Sequence, residues 1–349
     1  MLSLFEWGSK RLPRGLATEV ECWPIRRQNP SATVMEMRVL VTGAAGFIGS
    51  HLAKALSTRG HSVVGLDDLS TGNLDNLDGV DIELIEGSIL DETALAQAID
   101  GADVVVHLAA RTSVPRSIVD PGATHDVNTT GTLRVLEAAR RLATSPHLIL
   151  ASSSSVYGAN PVLPKTETMA VLPMSPYAVS KLAAEQYVLA YHHSYGVPTL
   201  AFRFFNVFGP RQAPGHSYAA VIPAFVHAAL RGQPVTIHGD GLQTRDFTYV
   251  GTVVDVITHA LEEEVTSSSP VNLAMGSRTS LLEVLSEIER IVDRPIEAEF
   301  NAPRSGDVRH SQADSTLLLS LFPNATPVPL SEGLRATVDW MRHWLGNDS

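Results

Sequence analysis

The 349-residue sequence is poor in several features that would restrict its function. It contains one cysteine, Cys22, which excludes an internal disulfide framework and a cysteine-based metal site. No apolar run approaches the roughly 18 residues that a membrane span requires. The 26 lysines and arginines are outnumbered by 37 acidic residues, for a net charge of -11, which argues against nucleic acid or an anionic membrane as a partner. The 13 histidines are scattered, and we therefore predict no metal site. We also predict that the protein is cytoplasmic.

The first 36 residues have no sustained helical or strand period, and they lack the apolar core of a signal peptide. We therefore expect residues 1–36 to be a poorly ordered N-terminal extension. Met35 and Met37 directly precede the first strand pattern, so either methionine is a candidate for the true start of the protein.

A glycine-rich turn follows the first predicted strand. Residues 37–42 (MRVLVT) are a short apolar run, residues 50–59 have a helical pattern, and between them stands the sequence Gly43-Ala-Ala-Gly46-Phe-Ile-Gly49. The glycines let the backbone turn and approach a ligand closely, and the helix N-terminus supplies free N–H groups and positive potential. Strand, glycine turn and helix together predict a pyrophosphate-binding site.

A second predicted strand, residues 61–66, ends in Asp67. A carboxylate at this distance from the glycine turn can bind both hydroxyls of a ribose and repels a 2′-phosphate. The expected cofactor is therefore NAD rather than NADP.

Strand and helix patterns continue to alternate up to residue 205, which predicts a doubly wound parallel sheet. Further strands are expected at residues 81–86, 103–107, 147–151 and 199–205, and helices at 92–99 and 128–142. Beyond them the apolar runs become short and glycine and proline frequent. We predict an α/β fold with a Rossmann-like NAD-binding domain over 37–205 and a smaller C-terminal α/β substrate-binding lobe over 206–349, some segments of which return to the first domain.

A tyrosine and a lysine stand four residues apart at Tyr177 and Lys181, after a helix start at Ser175-Pro176. On a helix the two side chains share a face. A free phenol ionises near about pH 10, and a nearby cation favours the phenolate. The pair predicts a tyrosine base, although this spacing alone is common in helices and needs support from other motifs.

That support comes from a series of motifs in a consistent order. They are the glycine turn, Asp67, His107-Leu-Ala-Ala110, Ser154-Ser-Val-Tyr-Gly158 and Tyr177-x-x-x-Lys181. Three more motifs follow: Arg203-Phe-Phe-Asn-Val-Phe-Gly-Pro-Arg-Gln212, Gly239-Asp-Gly-x-x-Thr-Arg-Asp246 and Gly306-Asp-Val-Arg-His-Ser-x-Ala-Asp314. With them, the sequence from about residue 38 to about 344 resembles the extended short-chain dehydrogenases. Within them it is similar to the NAD-dependent nucleotide-sugar epimerases and dehydratases.

The resemblance assigns roles to residues of this sequence. It implies that Tyr177 removes a proton from a sugar hydroxyl, that Lys181 lowers the pKa of Tyr177 and holds the nicotinamide ribose, and that Ser153 is the hydroxyl partner, with Ser154 one place away as the alternative. The implied cofactor contacts, besides Tyr177 and Lys181, are Gly43, Gly46, Phe47, Ile48, Gly49, Asp67, Ser88, Ile89, Leu108, Ala109, Ala110 and Asn128. The implied substrate contacts are Ser153, Ser154, Asn206, Arg245, Arg304 and Ser311.

The sequence departs from the family pattern at informative positions. Related dehydratases and decarboxylases have acidic residues where this chain has Ser154 and Ser155. Because serine cannot protonate a leaving hydroxyl at neutral pH, dehydration is disfavoured and 4-epimerisation of a UDP-hexose is expected. Ser88 replaces the usual Asp beside adenine, a position where the backbone of Ile89 can still serve.

The sugar is expected to include N-acetylated hexoses, because Ser311 stands where enzymes of narrow specificity have a bulky Tyr. UDP-GlcNAc and UDP-GalNAc would then be accepted as well as UDP-Glc and UDP-Gal. UDP-glucuronate is an alternative if Arg211 or Arg309 meets a C6 carboxylate. A nucleotide-sugar reductase or dehydratase, and a non-catalytic cofactor-binding protein, are the remaining alternatives. By resemblance, a homodimer is expected through the helices at 128–142 and 177–195.

Overall fold

The computed structural model describes residues 35–214, 220–303 and 308–347. All but the last two residues of the predicted N-terminal extension lie outside these ranges. The strands are β1 (Arg38–Thr42), β2 (Ser62–Asp67), β3 (Glu83–Glu86), β4 (Val104–His107), β5 (His147–Ser153), β6 (Thr199–Phe204), β7 (Asn206–Phe208), β8 (Val235–His238), β9 (Thr244–Arg245), β10 (Phe247–Tyr249), β11 (Val271–Leu273), β12 (Thr279–Ser280) and β13 (Ala298–Asn301).

The helices alternate with the strands. They are α1 (Phe47–Thr58), α2 (Glu92–Ile99), α3 (Val114–Val119), α4 (Pro121–His125), α5 (Gly131–Arg141), α6 (Pro176–Tyr195), α7 (Val221–Arg231), α8 (Val250–Glu262), α9 (Leu281–Val292), α10 (Thr316–Leu321) and α11 (Leu330–Asn347). Short 3-10 turns cover Leu74–Leu77 and Ser154–Tyr157, and a π-helical turn covers Asp126–Thr130.

The central sheet has seven parallel strands in the order β11-β6-β5-β4-β1-β2-β3. Its core follows from the alternation of side chains along β1. Val39 and Val41 belong to a cluster that includes Leu52 of α1 and Val253 of α8, whereas Leu40 belongs to a cluster on the other face. Because both faces are covered by helices, the strands are continuously apolar. The predicted Rossmann-like doubly wound sheet is confirmed.

The later part of the chain forms a layer beside the carboxyl edge of this sheet. Three two-stranded pairs, β7 with β10, β8 with β13 and β9 with β12, accompany a third apolar cluster built from α7, α9 and α11. The chain beyond residue 206 also supplies β11 and α8 to the main sheet and its covering layer. The division into two domains at residue 205 stays a prediction.

Predicted and observed boundaries differ mainly at two helices. Helix α1 begins at Phe47 rather than at residue 50, so Gly49 lies within its first turn. The helix predicted over 128–142 starts instead as the π-helical turn, and α5 begins at Gly131. Helix α2 has the predicted bounds, with Asp91 as its N-cap.

Candidate active site

The glycine turn lies between β1 and α1, at the carboxyl edge of the sheet. Gly43 has a φ of +73°, and a Cβ at this residue would lie 2.9 Å from the backbone N of Ala109. A Cβ on Gly49 would lie 2.0 Å from the carbonyl O of Gly43. Only glycine permits this close backbone approach. Phe47 and Ile48 belong to the first helical turn, whose N–H groups have no partner within the helix and can bind a phosphate.

Asp67 ends β2 beside this turn and is 7% exposed. Its Oδ2 accepts a hydrogen bond from Ala45 N at 2.9 Å, and its Oδ1 accepts one from Leu69 N at 2.9 Å. Burial raises the pKa of Asp67, and the two backbone bonds act in the opposite direction. Each oxygen retains acceptor capacity for a ribose hydroxyl. The glycine turn and Asp67 therefore fit the phosphates and ribose of NAD.

The residues predicted on the adenine side follow β3. The Oγ of Ser88 accepts a hydrogen bond from Leu90 N at 3.2 Å, so its hydroxyl stabilises a local turn. Ile89 is 3% exposed and packs against Gly131. A Cβ on Gly131 would lie 2.5 Å from the Cδ1 of Ile89. Ile89 is thus part of the apolar core on this face of the sheet, and its contact with adenine stays a prediction.

Leu108, Ala109 and Ala110 form the loop after β4 and are partly exposed. Ala109 N donates a hydrogen bond to Thr42 Oγ1 at 3.1 Å, and the Nδ1 of buried His107 lies 2.8 Å from the same hydroxyl oxygen. These bonds fix the loop against the end of β1, directly opposite Gly43.

Asn128 lies in the π-helical turn and is 1% exposed. Its Oδ1 accepts a hydrogen bond from Arg111 N at 2.7 Å, and its Nδ2 donates to Ser180 Oγ at 2.9 Å. The side chain is therefore committed to joining the loop after β4 to α6. Because both polar atoms already have protein partners, only the remaining acceptor capacity of Oδ1 is left for the predicted contact with the cofactor.

Helix α6 begins as the sequence predicts, because Ser175 is its N-cap and Pro176 occupies its first turn. Tyr177 and Lys181 consequently lie one turn apart on one face. Tyr177 is half-buried and Lys181 is 6% exposed. The Lys181 Nζ donates a hydrogen bond to the Ala151 carbonyl at 2.9 Å, which ties the helix to β5.

Ser153 ends β5 and is the N-cap of the 3-10 turn, where its hydroxyl accepts a hydrogen bond from Ser155 N at 3.1 Å. The same side chain lies near the Tyr177 phenol and acts to lower its pKa. Ser154 begins the 3-10 turn one residue later. Of the two serines left open by the sequence, Ser153 is the one that acts on the pKa of Tyr177, and its role as the hydroxyl partner stays a prediction.

Two opposing effects act on the pKa of Tyr177. Burial raises it, and this effect outweighs the lowering effect of the Ser153 side chain. The Lys181 ammonium is directed at a backbone carbonyl, and burial lowers its own pKa to about 8. The role of Lys181 in lowering the pKa of Tyr177 stays a prediction. A spacing of four residues shows that two groups share a face, but it does not show how deeply they are buried.

A cavity of about 270 Å³ lies on the substrate side, beyond the end of β6. Asn206 and Arg245, both predicted substrate contacts, line it together with Gln212, His238 and Gln243. Gln243 Nε2 donates to the His238 carbonyl at 2.6 Å, and Gln212 Nε2 donates to a backbone carbonyl at 3.2 Å. Their Oε1 atoms are buried without a partner among the described residues, so both can accept hydrogen bonds from a ligand.

Ser311 lies next to this cavity, since its backbone N donates to the Thr244 carbonyl at 3.0 Å, adjacent to Arg245. Arg304 lies outside the described residues. Arg309 pairs with Asp240, with 2.7 Å between Nη2 and Oδ2, which leaves it less suited to bind a sugar carboxylate.

Sequence reasoning missed two groups of residues. Gln243 and Gln212 both stand inside motifs that carry the resemblance, which was a usable signal, but only tertiary contacts bring them to one cavity. The second group is the buried ion pair between Arg203 of β6 and Glu185 of α6. No local pattern indicates that these two side chains meet.

Two negative observations concern the described ranges only. No described helix is long and apolar enough to cross a membrane. Among the same residues, no group of three or more His, Cys, Asp or Glu side chains could hold a metal ion.

A Rossmann sheet with a glycine turn and a Ser–Tyr–Lys set at its carboxyl edge defines an enzyme of the short-chain dehydrogenase type. The model of the NAD dependent epimerase/dehydratase family matches residues 39–274. The chain belongs to this family. It is an NAD-dependent nucleotide-sugar epimerase, and NAD is its cofactor.

Three relatives illustrate the similarity. The UDP-glucose 4-epimerase of Mycolicibacterium smegmatis is 40% identical over 88% of this chain and 99% of its own length. The UDP-N-acetylglucosamine 4-epimerase of Methanobrevibacter ruminantium, in complex with UDP-N-acetylmuramic acid, superposes with a TM-score of 0.84 at 35% identity, covering 88% of this chain and 99% of that one. The UDP-glucuronic acid 4-epimerase of Bacillus cereus, with UDP-glucuronic acid and NAD, gives 0.80 at 33% identity, covering 88% and 100%.

Proposed function

We propose that the protein is a UDP-hexose 4-epimerase that inverts the sugar at C4 and accepts N-acetylated as well as plain hexoses. The placement of Ser153 at the end of β5 and of Tyr177 in the first turn of α6, near enough for Ser153 to act on the phenol, supports this proposal most directly. The following residues, Ser154 and Ser155, offer no carboxylic acid that could protonate a leaving hydroxyl. Proton and hydride exchange at one carbon is what the remaining groups can perform.

Tyr177 takes the proton from the sugar 4-hydroxyl and returns it after inversion, and Ser153 hydrogen bonds with the same oxygen as its charge changes. Bound NAD supplies the hydride acceptor and, in its oxidised form, a positive charge. Lys181, fixed on Ala151, keeps the helix face aligned with the end of β5. The 4-keto sugar turns over in the pocket and is reduced on its other face, so no net oxidation occurs.

The nucleotide occupies the cavity beside β7 and β9. Arg245 binds the diphosphate, since a guanidinium can engage two phosphate oxygens at once. Asn206 contributes a neutral donor, and we assign Arg304 to the same ligand from its motif alone. The unpaired Oε1 atoms of Gln212 and Gln243 accept hydrogen bonds from hydroxyl or N–H groups of the uridine.

Ser311 determines the room available at the sugar 2-position. Its backbone is fixed by the bond to Thr244, so the side chain at this position cannot move away without breaking a strand-like contact. A small serine leaves space for an acetamido group, whereas a tyrosine would fill it.

An equilibrium assay tests the reaction. Purified protein is incubated without added cofactor with UDP-GlcNAc, UDP-Glc or UDP-GlcA, and the 4-epimers are followed by NMR, with Tyr177→Phe as the inactive control. Conversion of UDP-GlcNAc and UDP-Glc is expected. Turnover of UDP-Glc alone would refute the broad specificity, and no epimer from any substrate with NAD bound would favour a reductase.

UDP-glucuronate is a second candidate substrate because of Arg211. One of its guanidinium nitrogens, Nη1, is buried without a partner among the described residues, and burial lowers its pKa. A sugar carboxylate would satisfy such a group. Conversion of UDP-GlcA that is lost in Arg211→Gln, with UDP-Glc turnover retained, would support this reading.

We also propose a homodimer through the outer faces of α5 and α6. Val179, Tyr187 and Tyr195 of α6 are exposed apolar or aromatic side chains, at 52%, 39% and 56%. Light scattering after gel filtration would show a dimer for the wild type and a monomer for Val179→Asp/Tyr187→Asp.

A further inference from the structure

A fully buried ion pair lies beneath the proposed catalytic residues. Arg203 and Glu185 form two parallel hydrogen bonds, from Nη2 to Oε1 at 2.6 Å and from Nε to Oε2 at 2.9 Å, and their side chains are 3% and 0% exposed. The Arg203 guanidinium also lies over the Tyr157 ring, 4.8 Å from its centroid. A buried pair of this kind adds little net stability compared with apolar residues, so its presence asks for another explanation.

Glu185 occupies the catalytic face of α6. It follows Lys181 by four residues and Tyr177 by eight, so the three side chains lie on one stripe of the helix. From the helical rise, Glu185 is about 6 Å along the axis from Lys181 and about 12 Å from Tyr177. Its Oε2 also accepts a hydrogen bond from Ser152 Oγ at 2.7 Å, and Ser152 directly precedes Ser153.

We propose that the Arg203–Glu185 ion pair positions the end of β5 against the catalytic face of α6 and cancels a carboxylate charge that would otherwise act on Tyr177 and Lys181. Glu185 fixes the end of β5 by accepting the hydrogen bond from Ser152. Arg203 neutralises Glu185, so that the Glu185 carboxylate does not oppose the formation of the negatively charged Tyr177 phenolate. The pair consists of positioning residues, and the inference rests on the proposed role of Tyr177.

Other charged groups face this region from neighbouring elements. His107 of β4 acts electrostatically on Lys181, but burial lowers its pKa to about 3 and leaves it neutral at working pH. Glu167 acts on both Arg203 and Tyr157. On α5, Glu137 with its arginine partners contacts Tyr191, at the far end of α6. Lys181 joins the catalytic stripe to β5 through the Ala151 carbonyl, and the Arg203–Glu185 pair, through Ser152 and Arg203, joins it to both β5 and β6.

The test is a titration of the phenolate absorbance of as-purified protein, taken as the difference between each variant and the same variant carrying Tyr177→Phe. Glu185→Gln removes a negative charge about 12 Å along the helix axis from Tyr177 and leaves the buried Arg203 charge uncompensated. From the Coulomb energy at this distance, the Tyr177 pKa should fall by about one unit. Arg203→Gln should raise it, and Glu185→Gln/Arg203→Gln should restore the wild-type value. Glu137→Gln is the matched control and should change nothing.

Glu185→Gln is the decisive variant, because arginine stays protonated throughout the accessible range and therefore leaves a fixed positive charge when the carboxylate is removed. A shift of the same sign in both single variants, or no shift in Glu185→Gln, would overturn the inference. If Arg203→Gln does not fold, Glu185→Gln and the double variant still decide it. The titration needs no turnover, so a failed epimerase assay would contradict the proposed function alone.

Discussion

Acid should destabilise this protein through histidines that the fold keeps neutral, and His147 allows the clearest test. It lies at the start of β5 and is 5% exposed, and burial lowers its pKa from 6.5 to about 4. Neither ring nitrogen has a well-formed hydrogen-bond partner among the described residues. An apolar side chain of similar size should therefore replace it at little cost at neutral pH.

The direction of the pH dependence follows from the protonation of His147 in the folded and unfolded states. Between about pH 6.5 and about pH 4 the unfolded chain binds a proton at residue 147 that the folded protein does not, so stability falls as pH falls through this window. With an unfolded pKa of 6.5, lowering the pH from 7 to 5 costs about 2 kcal/mol at this residue. His107, whose pKa is lowered to about 3, contributes in the same direction.

Urea unfolding followed by circular dichroism at pH 7 and pH 5 measures this effect. His147→Leu should lose about 2 kcal/mol less stability between these pH values than the wild type does. The comparison is between proteins, because buried carboxyls such as Asp67 have a raised pKa and oppose the histidines equally in both. His193→Leu, at an exposed position of α6, should keep the wild-type dependence. An unchanged pH dependence in His147→Leu would refute the reasoning.

Three further predictions concern the glycine turn, the sugar site and the core. Gly43→Ala should abolish NAD retention, because the added Cβ would lie 2.9 Å from Ala109 N. Gly60→Ala is the control, since Gly60 has a φ of +85° and nothing within 4 Å of an added Cβ. It should cost about 1 kcal/mol of stability and leave the NAD content unchanged. Ser311→Tyr should remove turnover of UDP-GlcNAc while UDP-Glc turnover persists, and equal loss of both in the NMR assay would contradict the space argument. Tyr157→Phe should destabilise the protein by about 1–3 kcal/mol in urea unfolding, since the Tyr157 hydroxyl donates to buried Asn272 Oδ1 at 2.6 Å and its removal leaves that acceptor unpaired.

The sequence allowed the β1–α1–β2 unit and the Tyr–Lys helix to be predicted because their signals are local. Glycines at fixed spacing, an acid at a strand end and a Ser-Pro helix start each depend on a few neighbouring residues. The π-helical turn at Asn128 could not be predicted in this way. Its residues continue the helical period of α5, and the extra residue in the turn is accommodated by the bonds that Asn128 makes to Arg111 and Ser180.

Burial and pairing across the fold are the properties that a sequence pattern does not contain. The pKa of Tyr177 is an example, because burial raises it and the spacing of Tyr177 and Lys181 does not show how much water reaches the phenol. The Arg203–Glu185 pair is similar, because it joins a strand to a helix at positions that follow no shared period. Polar residues at such places look like ordinary surface residues until the fold is known.

The specificity attributed to Ser311 depends on a carboxylate far from it in sequence. Asp246 is fully buried, and its Oδ1 accepts hydrogen bonds from the N and Oγ of Ser277 at 3.1 and 2.9 Å. Its Oδ2 accepts one from Ala313 N at 3.0 Å. Three segments therefore meet on one side chain, and the loop with Ser311 is fixed beside Arg245 because Ala313 is held. A small residue at position 311 can leave room for a ligand only if the loop cannot collapse into that space, and Asp246 supplies the constraint.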